Sequence, residues 1–198
     1  MSDYSDFELA PERLLMLGVL EPDRAFVDSE RFKSAMRAFA TGVAIVTVEV
    51  EGRLLGLTIN ACCSISTQPP SVLISLAHGA SAREPILRTR RFGLSILAEE
   101  HLELARFGAV PGGPKELDVF AERLEEGGPA AIAGALAHLD CAVRTTFEVA
   151  DHTLVVGVVR RAVVGEGGEA PPDPLVYYDR TFRRLGPPLD QKGGTRRR

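Results

Sequence analysis

The chain has 198 residues, of which 45% are hydrophobic and 25% charged, as is ordinary for one globular domain with its own core. Its net charge of −4 gives no excess of positive charge with which to bind nucleic acid. No run of 18 apolar residues occurs, which argues against a membrane-spanning helix.

The first residues of the chain and its cysteines indicate where in the cell the protein is expected. The opening MSDYSDFE lacks the basic and apolar regions of a signal peptide, so we expect a cytoplasmic protein. The three cysteines, two of them adjacent at Cys62 and Cys63, form no disulfide framework. No further Cys or His follows at zinc-ligand spacing, so we expect small buried thiols and no metal.

The N-terminal part of the chain predicts an extension followed by a helix. Residues 1–28 form the extension, and its segment PERLLMLGVL is compatible with a short helix. Asp28 and Ser29 are favourable helix caps. Apolar residues then recur at i, i+3, i+4 and i+7, which predicts an amphipathic helix ending near Gly42: Phe32, Ala35, Met36 and Phe39.

Short segments rich in β-branched residues predict about seven strands. They span 43–50, 53–60, 71–77, 91–97, 138–149 and 153–164, with a terminal hairpin over 175–185. One helix is predicted over 99–109, with Leu102, Ala105 and Phe107 toward the core. Connecting loops are predicted at 61–70, 78–85, 110–129 and 165–174, and residues 187–198 are predicted to be a disordered tail.

The segment 138–149 shows the clearest alternation. It assigns Leu139, Cys141, Val143, Phe147 and Val149 to one face and Asp140, Arg144, Thr146 and Glu148 to the other. Hairpins predominate and strands do not alternate regularly with helices. The predicted fold class is therefore mainly β with peripheral helices, an antiparallel sheet closed or nearly closed into a barrel over residues 29–186.

Several nucleotide-binding motifs are absent from the sequence. No G-x-G-x-x-G follows a strand, and no Walker A loop occurs. A bound phosphate would therefore be held by loop amides, hydroxyl groups and arginines.

Five segments in order resemble the short-chain NAD(P)H:flavin oxidoreductase family, the reductase components of two-component flavin monooxygenases. They are FKSAMRAFATGVAIVT, GLTINACCSISTQPPSVLISL, RRFGLSIL with LARFG, GALAHLDC with ADHTLVVGVV, and PLVYYDRTFRRL. Together they cover about residues 30–186. The resemblance implies the FMN-binding split barrel, usually a homodimer, that transfers hydride from NADH or NADPH to FMN or FAD. Reduced flavin would then leave for a partner flavin-dependent monooxygenase.

The resemblance also implies site residues. Flavin contacts fall on Thr58, Ile59, Asn60, Ala61, Cys63, Ser64, Ser75, Ala77, Ser81, Ala82, Arg83, Arg106 and Phe107. The nicotinamide site falls on Gly56 and on His152, which Asp151 orients. Ala80, Ala82 and Ala150 depart from the family pattern, and Ala150 is unfavourable if the turn needs a positive φ.

Other interpretations stay open at this point. From the residues alone, Asp151, His152 and Thr153 could form a turn, a satisfied polar cluster or a site. The chain could instead be a tight flavoprotein acting on its own organic substrate, or a flavin-binding protein without turnover. Tyr177 and Tyr178 are assigned to the core or a dimer contact, and His78, His101 and His138 to surface or structural positions.

Overall fold

The computed structural model describes residues 27–110, 115–122, 130–165 and 172–187. The chain divides into two compact units, Met1–Arg37 and Ala38–Arg198. In the first unit helix α1 spans Ser29–Arg37, and the Asp28 carboxylate accepts a hydrogen bond from the N–H of Arg31 at 2.9 Å, as the cap predicts. The helix ends before Phe39, and none of its residues is buried. The helix proposed near residues 11–20 lies outside the described residues.

The described part of the second unit contains thirteen strands, two α-helices and two single 3-10 turns. The strands are β1 Thr41–Gly42, β2 Ala44–Val50, β3 Arg53–Ile59, β4 Cys62–Thr67, β5 Pro70–Ala77, β6 Arg91–Ile96, β7 Lys115–Glu116, β8 Ala121–Glu122, β9 Ala131–Ile132, β10 Ala137–Val149, β11 His152–Val164, β12 Val176–Tyr178 and β13 Thr181–Arg183. The helices are α2 Arg83–Thr89 and α3 Leu102–Ala109, and the 3-10 turns are Glu99–His101 and Asp118–Phe120.

Eight strands form the main sheet, in the order β4-β5-β11-β10-β6-β2-β3-β7. Every pairing in it is antiparallel, and three of the seven neighbouring pairs, β2–β3, β4–β5 and β10–β11, are joined by short hairpins. A three-stranded sheet β1-β12-β13 and the pair β8-β9 complete the described strands. The predicted strands are confirmed, with boundaries shifted by a residue or two.

The main sheet encloses one apolar core and carries a second on its outside. The inner core draws side chains from β2, β3, β5, β6, β10 and β11, with Ile86 of α2 packed into it. The outer core includes Leu104 and Ala105 of α3. Strand β2 is buried on both faces because its successive residues point alternately into the two cores, which explains its uninterrupted run of β-branched residues.

The long β10–β11 hairpin corrects the predicted faces of the residues that follow Arg144. The register shifts between Val143 and Thr145, so Arg144 is an extra residue in β10. One extra residue moves every later side chain to the other face of the strand. Phe147 and Val149 are therefore half exposed, while Cys141 and Val143 are buried in the inner core as predicted.

Four further expectations were wrong. The predicted loop 61–70 contains strand β4, an edge strand of the main sheet. The expected buried thiols Cys62 and Cys63 lie on this edge and are exposed. Arg83, expected in a loop, begins helix α2. Phe107, expected in the core, is 45% exposed.

Other loop predictions and the tail fall partly outside what the structure describes. Residues 111–114, 123–129, 166–171 and 188–198, which carry most of them, lie outside the described residues. Of the helices in the described ranges, none has the length and apolar character that crossing a bilayer requires. No group of three or more His, Cys, Asp or Glu in these ranges is arranged to hold a metal ion.

Candidate functional site

Two clefts meet at Thr58 and Ala109, where the end of β3 faces the end of α3. The first, called the loop cleft, has a volume of about 230 Å³. The second, called the hairpin cleft, has a volume of about 290 Å³. The loop cleft is lined by Leu57, Thr58, Ala77, Gly79, Ala80, Ser81, Gly108, Ala109, Val110 and Lys115. The hairpin cleft is lined by Val43, Thr58, Ile59, Asn60, Ala109, Tyr177, Arg180 and Phe182.

Thr58 fixes the wall that the two clefts share. Its Oγ1 donates a hydrogen bond to the carbonyl of Ala105 in α3 at 2.8 Å. Gly108 lets the helix approach this closely, because a Cβ on it would lie 2.5 Å from Oγ1 of Thr58. The hydroxyl proton of Thr58 is thus used within the fold, so its oxygen can interact with a ligand as an acceptor only.

The loop between β5 and α2 forms the polar rim of the loop cleft. The N–H of His78 donates to the carbonyl of Asp151 at 2.9 Å, and the N–H of Ala80 donates to Ala77 at 2.9 Å. The N–H groups of Gly79 and Ser81 and the Ser81 hydroxyl donate to no group within the described part of the chain. Ala82, predicted to contact flavin, is instead fully buried beneath the loop.

Arg83 does not line either cleft. Its Nε donates to Oγ1 of Thr153 at 2.6 Å and its Nη2 to Oε1 of Glu148 at 3.0 Å. Its Nη1 contacts the carboxylate of the neighbouring Glu84. The guanidinium is therefore engaged by two carboxylates, which corrects the prediction that it addresses a phosphate.

Glu148 is the centre of this network. Thr153 donates to its Oε2 at 2.9 Å, and Nε2 of His78 donates to the same oxygen at 2.8 Å. The hydrogen bond from Thr153, followed by those from His78 and the charge of Arg83, lowers the pKa of Glu148 below its ordinary value. The network ties both ends of the 78–82 loop to the β10–β11 hairpin.

Lys115 was not among the predicted site residues. This residue of β7 lines the loop cleft opposite Ser81, and its ammonium lies 5.8 Å from the ring centroid of Phe107. It is one of only three lysines among 23 basic residues, and this rarity was the one feature of the sequence that could have drawn attention to it. Its place in the cleft depends on the pairing of β7 with β3, which no local pattern indicates.

His152 and Asp151 lie beside the loop cleft. Nδ1 of His152 donates to Oδ1 of Asp151 at 2.8 Å, and this bond lowers the pKa of Asp151. His152 pairs with Ala77, a lining residue of the loop cleft, across β11 and β5. Ala150 precedes this pair in the hairpin turn with φ of 53°, a left-handed conformation that favours glycine.

The remaining predicted contacts are spread over the surface around the clefts. Cys63, Ser75, Ala77 and His152 lie on the outer face of the main sheet by strand alternation, and Ala61 meets Ser75 through a backbone hydrogen bond of 3.0 Å. Ser64 points to the opposite side of β4.

Gly56, Arg106 and Phe107 also lie outside the linings of both clefts. Gly56 is buried in β3, where a Cβ would lie 2.4 Å from Cδ1 of Leu117, so it serves close packing. Arg106 pairs with Glu103 at 2.7 Å on the exposed side of α3. Phe107 packs near Phe120, with ring centroids 6.5 Å apart.

Known proteins are similar in sequence to this chain over most of its length. The reductase component of a 4-nitrophenol 4-monooxygenase/4-nitrocatechol 2-monooxygenase from Rhodococcus opacus is 34% identical over 169 residues, covering 85% of each chain. A flavin reductase (NADH) from Kitasatospora aureofaciens is 32% identical over 178 residues, covering 89% of this chain and 91% of its own.

The fold also matches solved structures. The NADH:FAD oxidoreductase SgcE6 of Streptomyces globisporus C-1027, solved with NAD and FAD fragments, aligns with a TM-score of 0.74 at 30% identity. The alignment covers 84% of this chain and all of that one. A model of the flavin reductase like domain matches residues 36–186. The antiparallel split β-barrel is thereby confirmed, and the chain belongs to the flavin reductase family.

Proposed function

We propose that the protein catalyses the NADH-dependent reduction of FMN or FAD and supplies the reduced flavin to a separate monooxygenase. The relatives that support this are named as NADH-dependent flavin reductases or as reductase components of monooxygenases. The observation that carries the proposal is the loop cleft, an open space with unused donors on its rim, beside the His152–Asp151 pair.

The loop cleft fits the phosphate end of a flavin. The N–H groups of Gly79 and Ser81, the Ser81 hydroxyl and the Lys115 ammonium surround it, and all of these groups donate hydrogen bonds. A Cβ on Gly79 would meet nothing within 4 Å, so the backbone there is open to a close ligand. Because Arg83 is held by Glu148, the positive charge at this site comes from Lys115.

The wall between the clefts fits the flat ring. Thr58 offers an acceptor oxygen, and the exposed Asn60 offers both an amide donor and an acceptor at the end of β3. Ala109 presents only a methyl group, so a ring can approach the backbone of α3 closely. When bound, the flavin accepts the hydride of NADH.

His152 and Asp151 are proposed to orient the nicotinamide. The hydrogen bond between Nδ1 of His152 and Oδ1 of Asp151 holds the imidazole in one orientation. When the ring is neutral, Nε2 is then available to accept a hydrogen bond from a ligand. Both side chains are exposed next to Ala77, so an incoming dinucleotide can reach them. Correct alignment of the reacting atoms, rather than proton transfer, is the role assigned to this pair.

We also propose that the protein is a homodimer that joins through the outer face of β4, β5, β11 and β10. Phe147 and Val149 lie half exposed on this face, and Leu73, Leu154 and Val156 are only partly buried there. A sheet face this apolar is typical of a protein interface. A second copy would cover it and enclose the adjoining loop cleft.

We propose a cytoplasmic location for the enzyme. Cys62 and Cys63 are exposed and unpaired, which agrees with a reducing compartment. Cell fractionation followed by immunodetection tests this, and recovery of the protein from a secreted fraction would contradict it.

The reaction itself is tested by following NADH oxidation at 340 nm with added FMN or FAD, and with NADPH in place of NADH. We expect flavin-dependent turnover, higher kcat/KM with NADH, and transfer of reduced flavin to an added monooxygenase without a stable complex. A protein that purifies yellow and ignores added flavin would overturn the proposal, as would flavin binding without NADH oxidation.

A further inference from the structure

The hairpin cleft contains a cation that the proposed reaction does not use. Arg180 lies in the two-residue turn between β12 and β13 and lines this cleft together with Asn60 and Tyr177. It forms no hydrogen bond or ion pair within the described ranges of the chain. Its neighbours Arg183 and Arg184 lie outside the cleft, and Arg184 pairs with Glu99 at 2.7 Å.

The backbone of this turn is unusual for its sequence. Asp179 and Arg180 have φ of 47° and 57°, so both adopt the left-handed conformation that hairpin turns normally fill with Asn-Gly. Glycine at position 180 would relieve the strain, and an arginine side chain there gains nothing from the fold. A non-glycine residue held in a strained turn is often found at a functional position.

The walls of the hairpin cleft define what Arg180 would meet. Tyr177 and Phe182 pack edge to face, with ring centroids 5.3 Å apart, and form an aromatic side. The exposed Asn60, which is proposed to contact the flavin ring, lies where the end of β3 borders the cleft. An aromatic surface beside an unpaired guanidinium suits a planar base that carries phosphate groups.

The two clefts lie next to each other, because Thr58 and Ala109 line both of them. Each contains one cation, Lys115 in the loop cleft and Arg180 in the hairpin cleft. A flavin phosphate bound near Lys115 therefore leaves Arg180 for a second phosphate-bearing group on the other side of the shared wall.

We infer that the hairpin cleft is a binding site for the ADP moiety of a dinucleotide, with Arg180 contacting the pyrophosphate. The inference rests on the proposed function for the identity of the dinucleotides. Both NADH and FAD carry an ADP moiety. The enzyme would prefer the dinucleotide whose ADP moiety binds in the hairpin cleft.

The test compares Arg180→Ala with Arg183→Ala, a matched loss of one arginine from the same hairpin outside the cleft. Alanine keeps the backbone of position 180 non-glycine, so the turn is perturbed as little as possible. Titration calorimetry with ADP should show a roughly tenfold weaker Kd for Arg180→Ala, as for the loss of one charged hydrogen bond, and no change for Arg183→Ala. Equal ADP affinity of the two variants would overturn the inference.

Steady-state kinetics then identify the dinucleotide. A higher KM for NADH but not for reduced nicotinamide mononucleotide assigns the site to NADH, and weaker binding of FAD but not of FMN assigns it to FAD. Equal losses for the ligands with and without the ADP moiety would contradict an ADP site. If the wild-type protein oxidises no NADH, the proposed function fails while the ADP titration still decides this inference.

Discussion

Nη2 of Arg83 donates to Oε1 of Glu148 across 3.0 Å, joining the start of α2 to the end of β10. The two residues are separated by 65 positions in the sequence. The same carboxylate accepts hydrogen bonds from Thr153 and His78, so one side chain restrains the loop whose amides are proposed to hold phosphate. We therefore expect Glu148 to act as a positioning residue for the loop cleft.

The first prediction concerns Glu148→Gln. The variant keeps the shape of the side chain but loses its charge, so Arg83 loses one of its two carboxylate partners, His78 loses its carboxylate partner and the 78–82 loop loosens. We expect a several-fold higher KM for flavin with little change in kcat, measured by steady-state NADH oxidation. Glu84→Gln, which alters the exposed partner of Arg83, is the control and should leave both constants near wild type.

The same variant has a pH-dependent signature. The pKa of Glu148 is lowered in the folded state, so its stabilising effect is present above the unfolded value of about 4.3 and is lost as the pH falls through the lower folded pKa. The Tm difference between wild type and Glu148→Gln should therefore shrink in acid. A difference that stays constant from pH 7 to pH 3 would contradict this role.

The second prediction concerns His152→Ala. Removing the imidazole should lower kcat/KM for NADH by roughly 10–100-fold through loss of alignment, while the Kd for FMN changes little. Asp151→Asn should show a smaller effect in the same direction, because the ring remains but its orientation is weakened. Stopped-flow reduction and fluorescence titration separate the two constants, and an equal loss of flavin binding would assign His152 to the flavin instead.

The third prediction concerns the strained turn at Ala150. Its φ of 53° is unfavourable for any side chain, so Ala150→Gly should raise the free energy of unfolding by about 0.5–1 kcal/mol. Ala162→Gly, in the exposed part of β11, should lower it by a similar amount because glycine loses more entropy in a strand. Denaturant unfolding measures both, and destabilisation by Ala150→Gly would contradict the left-handed turn.

The fourth prediction uses the open backbone of the 78–82 loop. A methyl group at position 79 meets no atom within 4 Å, so Gly79→Ala should leave Tm unchanged. The methyl would still project into the loop cleft and should weaken FMN binding several-fold, measured by quenching of flavin fluorescence. Gly186→Ala is equally unhindered and away from both clefts, and should alter neither quantity. Unchanged FMN affinity in Gly79→Ala would place the phosphate elsewhere.

The fifth prediction tests the proposed dimer. Phe147→Asp introduces a charge into the apolar sheet face and should shift the protein toward monomer in sedimentation or light-scattering experiments. Val119→Asp changes a residue that is 87% exposed at a different place and serves as the control. A wild-type protein that is monomeric at every concentration would disprove the interface, and dimers unaffected by Phe147→Asp would move it to another face.

The sequence by itself determined much of this protein. The strands could be predicted because β-branched runs and turn residues act locally, as in β2 and the β10–β11 hairpin. The family resemblance predicted the region of the candidate site, from the end of β3 through the 78–82 loop to His152. The cap at Asp28 was readable from the local sequence, and the family resemblance marked Ala150 as unfavourable if its turn needs a positive φ.

Only the tertiary structure decided which side chains meet. The extra residue Arg144 turned Phe147 outward, a change that depends on strand pairing and not on local alternation. Glu148 took Arg83 out of the predicted phosphate site, and the pairing of β7 with β3 brought Lys115 into it. Arg180 joined Asn60 in one cleft in the same way. Such contacts join segments far apart in the chain. They depend on strand pairing and on the curvature of the sheet, which no short stretch of sequence encodes.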